Sequence, residues 1–264
     1  MDYPVPMFDF FKERRRKAIT EQPFPAEWET ILRENVPYFQ RLEADEQDKL
    51  RDLVKIFLEE KRFEGCAGLE IDDEIRVTIA AQACILILRH DDIYPDLEVV
   101  LVYPSTYVDK RPRTVEGGIV IEEPEVRLGE SWSRGVVVLA WDAVLHGATD
   151  LRDGKNVVFH EFAHQLDTED GAADGAPILE KRAAYGPWAR VLGAAYEGLV
   201  RDEREGESTL LDTYGAKNPA EFFAVVTEMF FERPKALRSR HPALYEQMRG
   251  FYQQDPAENL SSKR

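Results

Sequence analysis

The segment Val157-Val158-Phe159-His160-Glu161-Phe162-Ala163-His164-Gln165-Leu166-Asp167 decides the reading of this chain. Val158, Phe162 and Leu166 recur every four positions, the spacing of one buried stripe on an α-helix. On such a helix His160 and His164 share a face, so two imidazoles reach one metal ion while Glu161 leans over the same edge. Those residue types in that order suit zinc-assisted hydrolysis. Zinc brings Lewis acidity and a water of lowered pKa, and the carboxylate takes that water's proton and returns it to the leaving amine. Short patterns of this kind also arise by chance, and a lone helical His is commonly structural. Here two of only five histidines (His90, His146, His160, His164, His241) fall at the required spacing with Glu between them. Asp153 is read as the N-cap of this helix and Asp170-Gly171 as its stop.

A catalytic zinc takes three protein ligands and keeps one position for water, so a third donor is needed. Asp170, six residues after His164, is the local candidate. The distant candidate is Glu221, in a new helix that opens with Asn218 as N-cap and Pro219 at the first position. Glu221 then falls at N3, where a helix-capping carboxylate and a metal ligand are equally good readings. Glu228, two turns further along the same face, is a weaker alternative ligand. Tyr214, seven residues before Glu221, is a candidate hydrogen-bond donor to the oxyanion formed in peptide hydrolysis, or an ordinary half-buried loop residue. Asp167 is either an acceptor for a ligand imidazole or a plain C-terminal loop residue.

Composition bounds the partners. With 44% hydrophobic and 32% charged residues over 264 positions, the chain has the make-up of a soluble globular protein with a sizeable core. A formal charge of -16 speaks against direct nucleic-acid binding, which needs basic surface. The cluster Arg14-Arg15-Arg16-Lys17 is read as a solvated helix face. No apolar run follows it as in a signal peptide, and the longest apolar stretch, residues 77–88, is too short to span a bilayer. Two separated cysteines, Cys66 and Cys84, exclude a cysteine zinc site and suit core packing in a reducing cytoplasm. A cytoplasmic protein without membrane attachment is therefore expected.

Periodicity predicts an α+β chain. Residues 1–95 read as mostly helical, with helices around Trp28 and through 42–58, a turn at 65–68 and an apolar helix near 75–88. Strands are expected at 97–103, 118–121 and 135–141, forming a small sheet. Residues 96–264 then carry the zinc helix, a loop at 167–177, a helix near 179–199 and the helix bearing Glu221. The two parts are expected to form one continuous domain. The segment 136–141, just before the zinc helix, is a candidate edge strand for pairing with substrate backbone, or an ordinary core strand. Near the carboxy terminus Leu244, Tyr245, Met248, Phe251 and Tyr252 make an apolar stripe, read as a partner-facing surface or, more commonly, a helix docked on its own core.

Several longer motifs extend this reading: Phe-Glu-Gly-Cys-Ala-Gly-Leu-Glu at 63–70, Arg-Val-Thr-Ile-Ala-Ala-Gln-Ala-Cys at 76–84, Val-Tyr-Pro-Ser at 102–105, Asn-Val-Val-Phe-His-Glu-Phe-Ala-His at 156–164 and Pro-Ala-Glu-Phe-Phe-Ala-Val at 219–225. Through them most of the chain resembles the Mlc titration factor A, or DgsA anti-repressor, family of bacterial zinc metallopeptidases, itself distantly similar to the catalytic domain of anthrax lethal factor. The resemblance implies a zincin-like, gluzincin-type fold and one zinc per chain on His160, His164 and Glu221. It also implies Glu161 as the base and Tyr214 close by, with Asp170 reduced to a minor alternative. Aminopeptidase-like activity on peptides is implied, together with a partner, a glucose-responsive transcriptional repressor whose capture relieves repression of sugar-uptake genes. The rival reading is a non-catalytic anti-repressor with a vestigial zinc site. An intact Glu161 weighs against it, because a pure binder needs no base.

Overall fold

The computed structural model describes the backbone of residues 7–259 save 91, 106, 110–112, 116–118, 122–124, 128 and 134, and side chains over 11–90, 92–105 and 135–258. Three helices open it: α1 (Met7–Thr20), α2 (Ala26–Asn35) and α3 (Ala44–Glu60). Pro37 has no N–H to continue α2 and instead starts a 3-10 turn, Pro37–Arg41. α3 begins in a reciprocal capping arrangement between Glu43 and Glu46 and buries Leu50, Val54 and Phe57. The basic cluster on α1 is pinned to the end of α3, Arg15 to Glu59 and Arg16 to Glu60, so it is only partly the solvated face expected.

A short strand, β1 (Arg62–Gly65), follows. Four residues reading Arg-Phe-Glu-Gly carry no usable alternation, and the strand exists because it pairs with a neighbour. The apolar helix is α4 (Asp73–Leu86), capped by the Asp72 side chain accepting from the Ile75 N–H, and buried from Ile75 to its end save for Arg76. Then come β2 (Val99–Tyr103), β3 (Tyr107–Asp109), β4 (Arg113–Val115), β5 (Ile119–Ile121), β6 (Glu125–Arg127), β7 (Gly129–Ser133) and β8 (Val136–Ala140). β3 with β6 and β4 with β5 form separate antiparallel ribbons, and the main sheet runs β1-β2-β8-β7.

In that sheet β1, β2 and β8 are parallel and β7 is antiparallel. The near-continuous Val and Leu of β2 and β8 fit parallel strands covered on both faces. Of the two readings of 136–141 this excludes the edge strand and leaves the core strand, because β8 has β2 on one side and β7 on the other. Composition shows that a strand is buried, whereas its neighbours are a matter of topology.

The remaining helices are α5 (Trp141–Thr149), unforeseen in the sequence, then α6 (Val157–Asp167), α7 (Tyr185–Glu205), α8 (Pro219–Glu232), α9 (Pro234–Arg240), α10 (Pro242–Tyr252) and α11 (Pro256–Asn259). α7 starts six residues later than the expected 179. The motif helix α6 packs against α4 and α8, with Phe159 and Phe162 in an aromatic core shared with Phe57, Tyr94 and Phe231. The stripe of α10 lies in that core too: Tyr252 packs on Phe230 and Phe231, and its hydroxyl meets Thr227 at 2.8 Å. A partner-facing role for the stripe is thereby corrected, since all five residues are buried. The polar tail after Asn259 lies outside the described residues.

Candidate metal centre

The helix that carries the motif is started by Asn156, not by Asp153. The Asn156 side chain accepts the Phe159 N–H at 3.0 Å, whereas Asp153 accepts the Lys155 N–H in a local turn. Gly154 explains the difference: it sits at φ 80, where a Cβ would meet the Met229 sulfur at 2.4 Å, so the chain turns there and the helix begins later. The helix of Glu221 opens as the sequence indicates, with Asn218 accepting the Glu221 N–H at 2.9 Å and Pro219 at the first position. Because Asn218 serves the cap, the Glu221 carboxylate is left to reach across to α6.

It does so between the two histidines. Glu221 Oε2 lies 3.0 Å from His160 Nε2 and 3.3 Å from His164 Nε2. One donor atom from each of the three residues falls within 4.8 Å of the others, the only such trio among the described residues. Two imidazole nitrogens and one carboxylate oxygen converging on a single locus fit a divalent transition metal with a position left open. Asp170 is elsewhere: it is exposed and accepts the Ala172 N–H.

Glu228 is placed behind this trio rather than in it. Its Oε1 meets His160 Nδ1 at 2.7 Å, and its Oε2 accepts the Asn156 N–H at 2.5 Å. A carboxylate on the far nitrogen sets the tautomer and orientation of the ring whose Nε2 faces the metal locus. Asn156 also donates to Gln82 Oε1 at 2.9 Å and to the Gly147 carbonyl at 3.0 Å, joining α4, α5, α6 and α8 at one buried residue. Gly147 permits this approach, since a Cβ there would sit 2.9 Å from Asn156 Cα.

Charge is arranged accordingly. Burial opposes a charged His160, but the carboxylates of Glu228 and Glu221 outweigh it and hold the imidazole well above its usual pKa. Burial likewise pushes the Glu221 carboxyl up, and hydrogen bonds from both imidazoles hold it well below the carboxylate range. Glu161 behaves in the opposite way. It is 4% exposed, its Oε2 has no hydrogen-bond partner among the described residues, and burial raises its pKa to about 7 against the pull of His160 and His164. Asp167, for which an imidazole acceptor and a plain loop residue were equal readings, accepts the Gly175 N–H at 3.0 Å at the end of α6, and burial raises it to about 6.

Tyr214 lies beside His160. It stands in a 3-10 turn, Thr213–Ala216, fixed by Asp212 accepting its N–H, and its ring centroid is 5.8 Å from that of His160. The residue is 43% exposed, with the Lys217 ammonium 3.8 Å from its ring centroid.

With this geometry in place the comparisons with known proteins are specific. Residues 10–253 match the family described as glucose-regulated metallo-peptidase M90. The chain belongs to that family. Among its relatives, "Uncharacterized protein slr2042" of Synechocystis is 40% identical over 93% of this chain and 90% of its own length. Mlc titration factor A of Enterobacter is 35% identical over 88% of each chain, and that of Escherichia fergusonii 36% identical over 87% of this chain and 86% of its own. Family membership therefore makes this a metallopeptidase-type chain, and the His160, His164 and Glu221 trio could hold the metal ion that such a family implies. Among the described residues no helix is long and apolar enough to cross a membrane.

The places of two residues around the trio, Asn156 and Glu228, differ from the sequence reading. Asn156 is the last good capping residue before the apolar run, and the Asp-Gly turn at 153–154 signals that Asp153 is already used. Glu228 was visible as a carboxylate seven residues after Glu221, but no pattern in the chain separates a ligand from the group that orients one.

Proposed function

We propose that the protein is a zinc-dependent, zincin-like peptidase of the gluzincin type with aminopeptidase-like activity, acting on peptides at the His160, His164 and Glu221 site. Residues 1–95 serve as a helical part packed on the catalytic unit of 96–264. The observation that carries the reading is Glu161, a buried carboxylate with an unpartnered oxygen beside three converged donors. A site built only to hold a metal has no use for it. Zinc bound there supplies Lewis acidity and lowers the pKa of water. Glu161, buried beside the metal locus with a free carboxylate oxygen among the described residues, takes the proton of the attacking water and returns it to the leaving amine. The Tyr214 hydroxyl donates to the oxygen on which charge develops. Glu228 keeps the His160 ring in register throughout.

A second role is proposed for this chain, capture in the cytoplasm of the glucose-responsive transcriptional repressor that the family resemblance implies, and relatives named Mlc titration factor A are in keeping with it. The test is hydrolysis of amino-acid anilides and short peptides by purified protein, abolished by chelator and restored by zinc. Glu161→Gln is expected to keep its zinc and lose about 10² to 10⁴ in turnover. Unchanged turnover in that variant removes Glu161 as the base. A fully zinc-loaded protein that hydrolyses nothing while binding the repressor establishes the non-catalytic reading instead.

A further inference from the structure

At the opposite end of α3 from its capping box, where α1 meets the Ile93–Glu98 approach to β2, lies a cavity of about 390 Å³ that the peptidase reading does not use. Its wall contains Lys12, Arg16, Lys61 and Arg62 against only Glu60 and Glu98, an excess of two cations in a chain of net charge -16. Ile93, Pro95 and Leu97 supply an apolar side. Asp92, Asp96 and Glu64 stand around this wall as well, so what distinguishes the cavity is how loosely its cations are held rather than a bare excess of charge.

Lys61 is the centre of this arrangement. It is 7% exposed, and no carboxylate lies within ion-pair distance of it among the described residues. Its ammonium donates to the carbonyls of Tyr94 at 2.6 Å and Leu97 at 2.9 Å, which uses two of its three donors. Burial lowers the Lys61 pKa, with Lys12 and Arg16 adding to the effect, and the carboxylates of Glu60 and Asp96, both beyond ion-pair distance, do not offset it. Around it, Arg16 is neutralised by a two-pronged bond to Glu60 at 2.8 Å on each arm. Lys12 and Arg62 are not so held. Lys12 reaches Asp92 only at 3.7 Å, and Arg62 reaches Glu64 and Glu98 at 3.8 and 3.9 Å, all with exposed side chains, so these pairs exchange readily for a better anion.

We propose that this cavity binds a small phosphate ester, its phosphate taken by Lys61, Lys12 and Arg62 and its carbon part set against Ile93, Pro95 and Leu97. Separate tetrahedral oxygens suit cations arriving from α1, the end of α3 and β1, and the volume is that of a small-molecule pocket.

Calorimetric titration of the metal-loaded protein with glycerol 3-phosphate, inorganic phosphate and glycerol, at ionic strength matched with chloride, tests this. Saturable binding of one glycerol 3-phosphate per chain is expected, tighter than inorganic phosphate, with none for glycerol. Affinity should fall at least tenfold in Lys61→Met. It should fall similarly in the rim double variant Lys12→Gln with Arg62→Gln, whose exposed side chains leave the fold intact. Glu221→Ala should bind the ester normally. No saturable binding, unchanged affinity in the rim variant, or loss confined to Glu221→Ala, which would place the anion on the metal, overturns the site. Equal affinity for free phosphate overturns the ester assignment.

Discussion

The two ends of α6 are held in different ways, although each carries a histidine that is 15% exposed at its side chain. In the first turn His160 has both ring nitrogens engaged, Nδ1 by Glu228 and Nε2 by Glu221, and the turn itself is tied through Asn156 to α4, α5 and α8. In the last turn the His164 ring has Glu221 as its one polar partner among the described residues, and its neighbour Asp167 secures the following loop through Gly175, which in turn accepts the Trp188 indole N–H. The metal locus is thus ordered from the amino-terminal end of the helix, while the carboxy-terminal end anchors a wall. Polar order of this kind is concentrated where a ligand ring has to be aimed, because a misplaced nitrogen costs metal affinity while a shifted loop does not.

The comparison can be broken most forcefully at the residue both ends share. Glu221→Ala is expected to abolish tight metal binding, whereas Asp170→Ala leaves it unchanged; competition against a chromogenic chelator reads both. Metal retained by Glu221→Ala and lost by Asp170→Ala would transfer the third ligand to the end of α6. Next comes the ring-orienting carboxylate. Glu228→Gln should weaken metal affinity by about 10- to 100-fold while the fold persists, and Asp167→Asn should leave it within a few-fold. Equal losses in the two variants would erase the asymmetry between the turns.

Asn156→Ala removes a helix cap and strands the buried Gln82 amide oxygen and Gly147 carbonyl. A loss of about 1–3 kcal/mol in chemical denaturation is expected. Asp153→Ala, at the residue that only closes a local turn, should cost less, and the reverse order would restore Asp153 as the cap.

The smallest effect belongs to Asp167. Its folded-state pKa of about 6 stands above the ordinary aspartate value because it is buried, so the folded protein holds a proton that the unfolded chain releases. Its contribution to stability is therefore most favourable below about pH 4 and is lost as pH rises towards 6. Asp167→Asn still accepts the Gly175 N–H and should flatten the stability profile in that window. An unchanged slope between pH 4 and 6 in denaturation midpoints would show that Asp167 does not titrate there.

Much of the site was legible because helical chemistry is local. The spacing of His160 and His164, Glu161 between them, and the Asn218-Pro219 start that sets Glu221 one turn into α8 are consequences of 3.6 residues per turn and of capping, and all three appear in the structure as read. β1 and α5 were less legible. Arg-Phe-Glu-Gly becomes a strand only through its pairing with β2, and the run from Val136 to Trp141 hid the point where strand passes directly into helix.

What the sequence determined by itself is therefore the set of groups that could bind a metal and the helices that carry them. Whether Glu228 would be a ligand or the support of one, whether β8 would be an edge or an interior strand, and whether the stripe of α10 would face a partner or the core were decided by tertiary structure. Each turns on which element lies beside which, and contacts between residues some 70 positions apart, such as Asn156 with Glu228, come from packing rather than from any period along the chain.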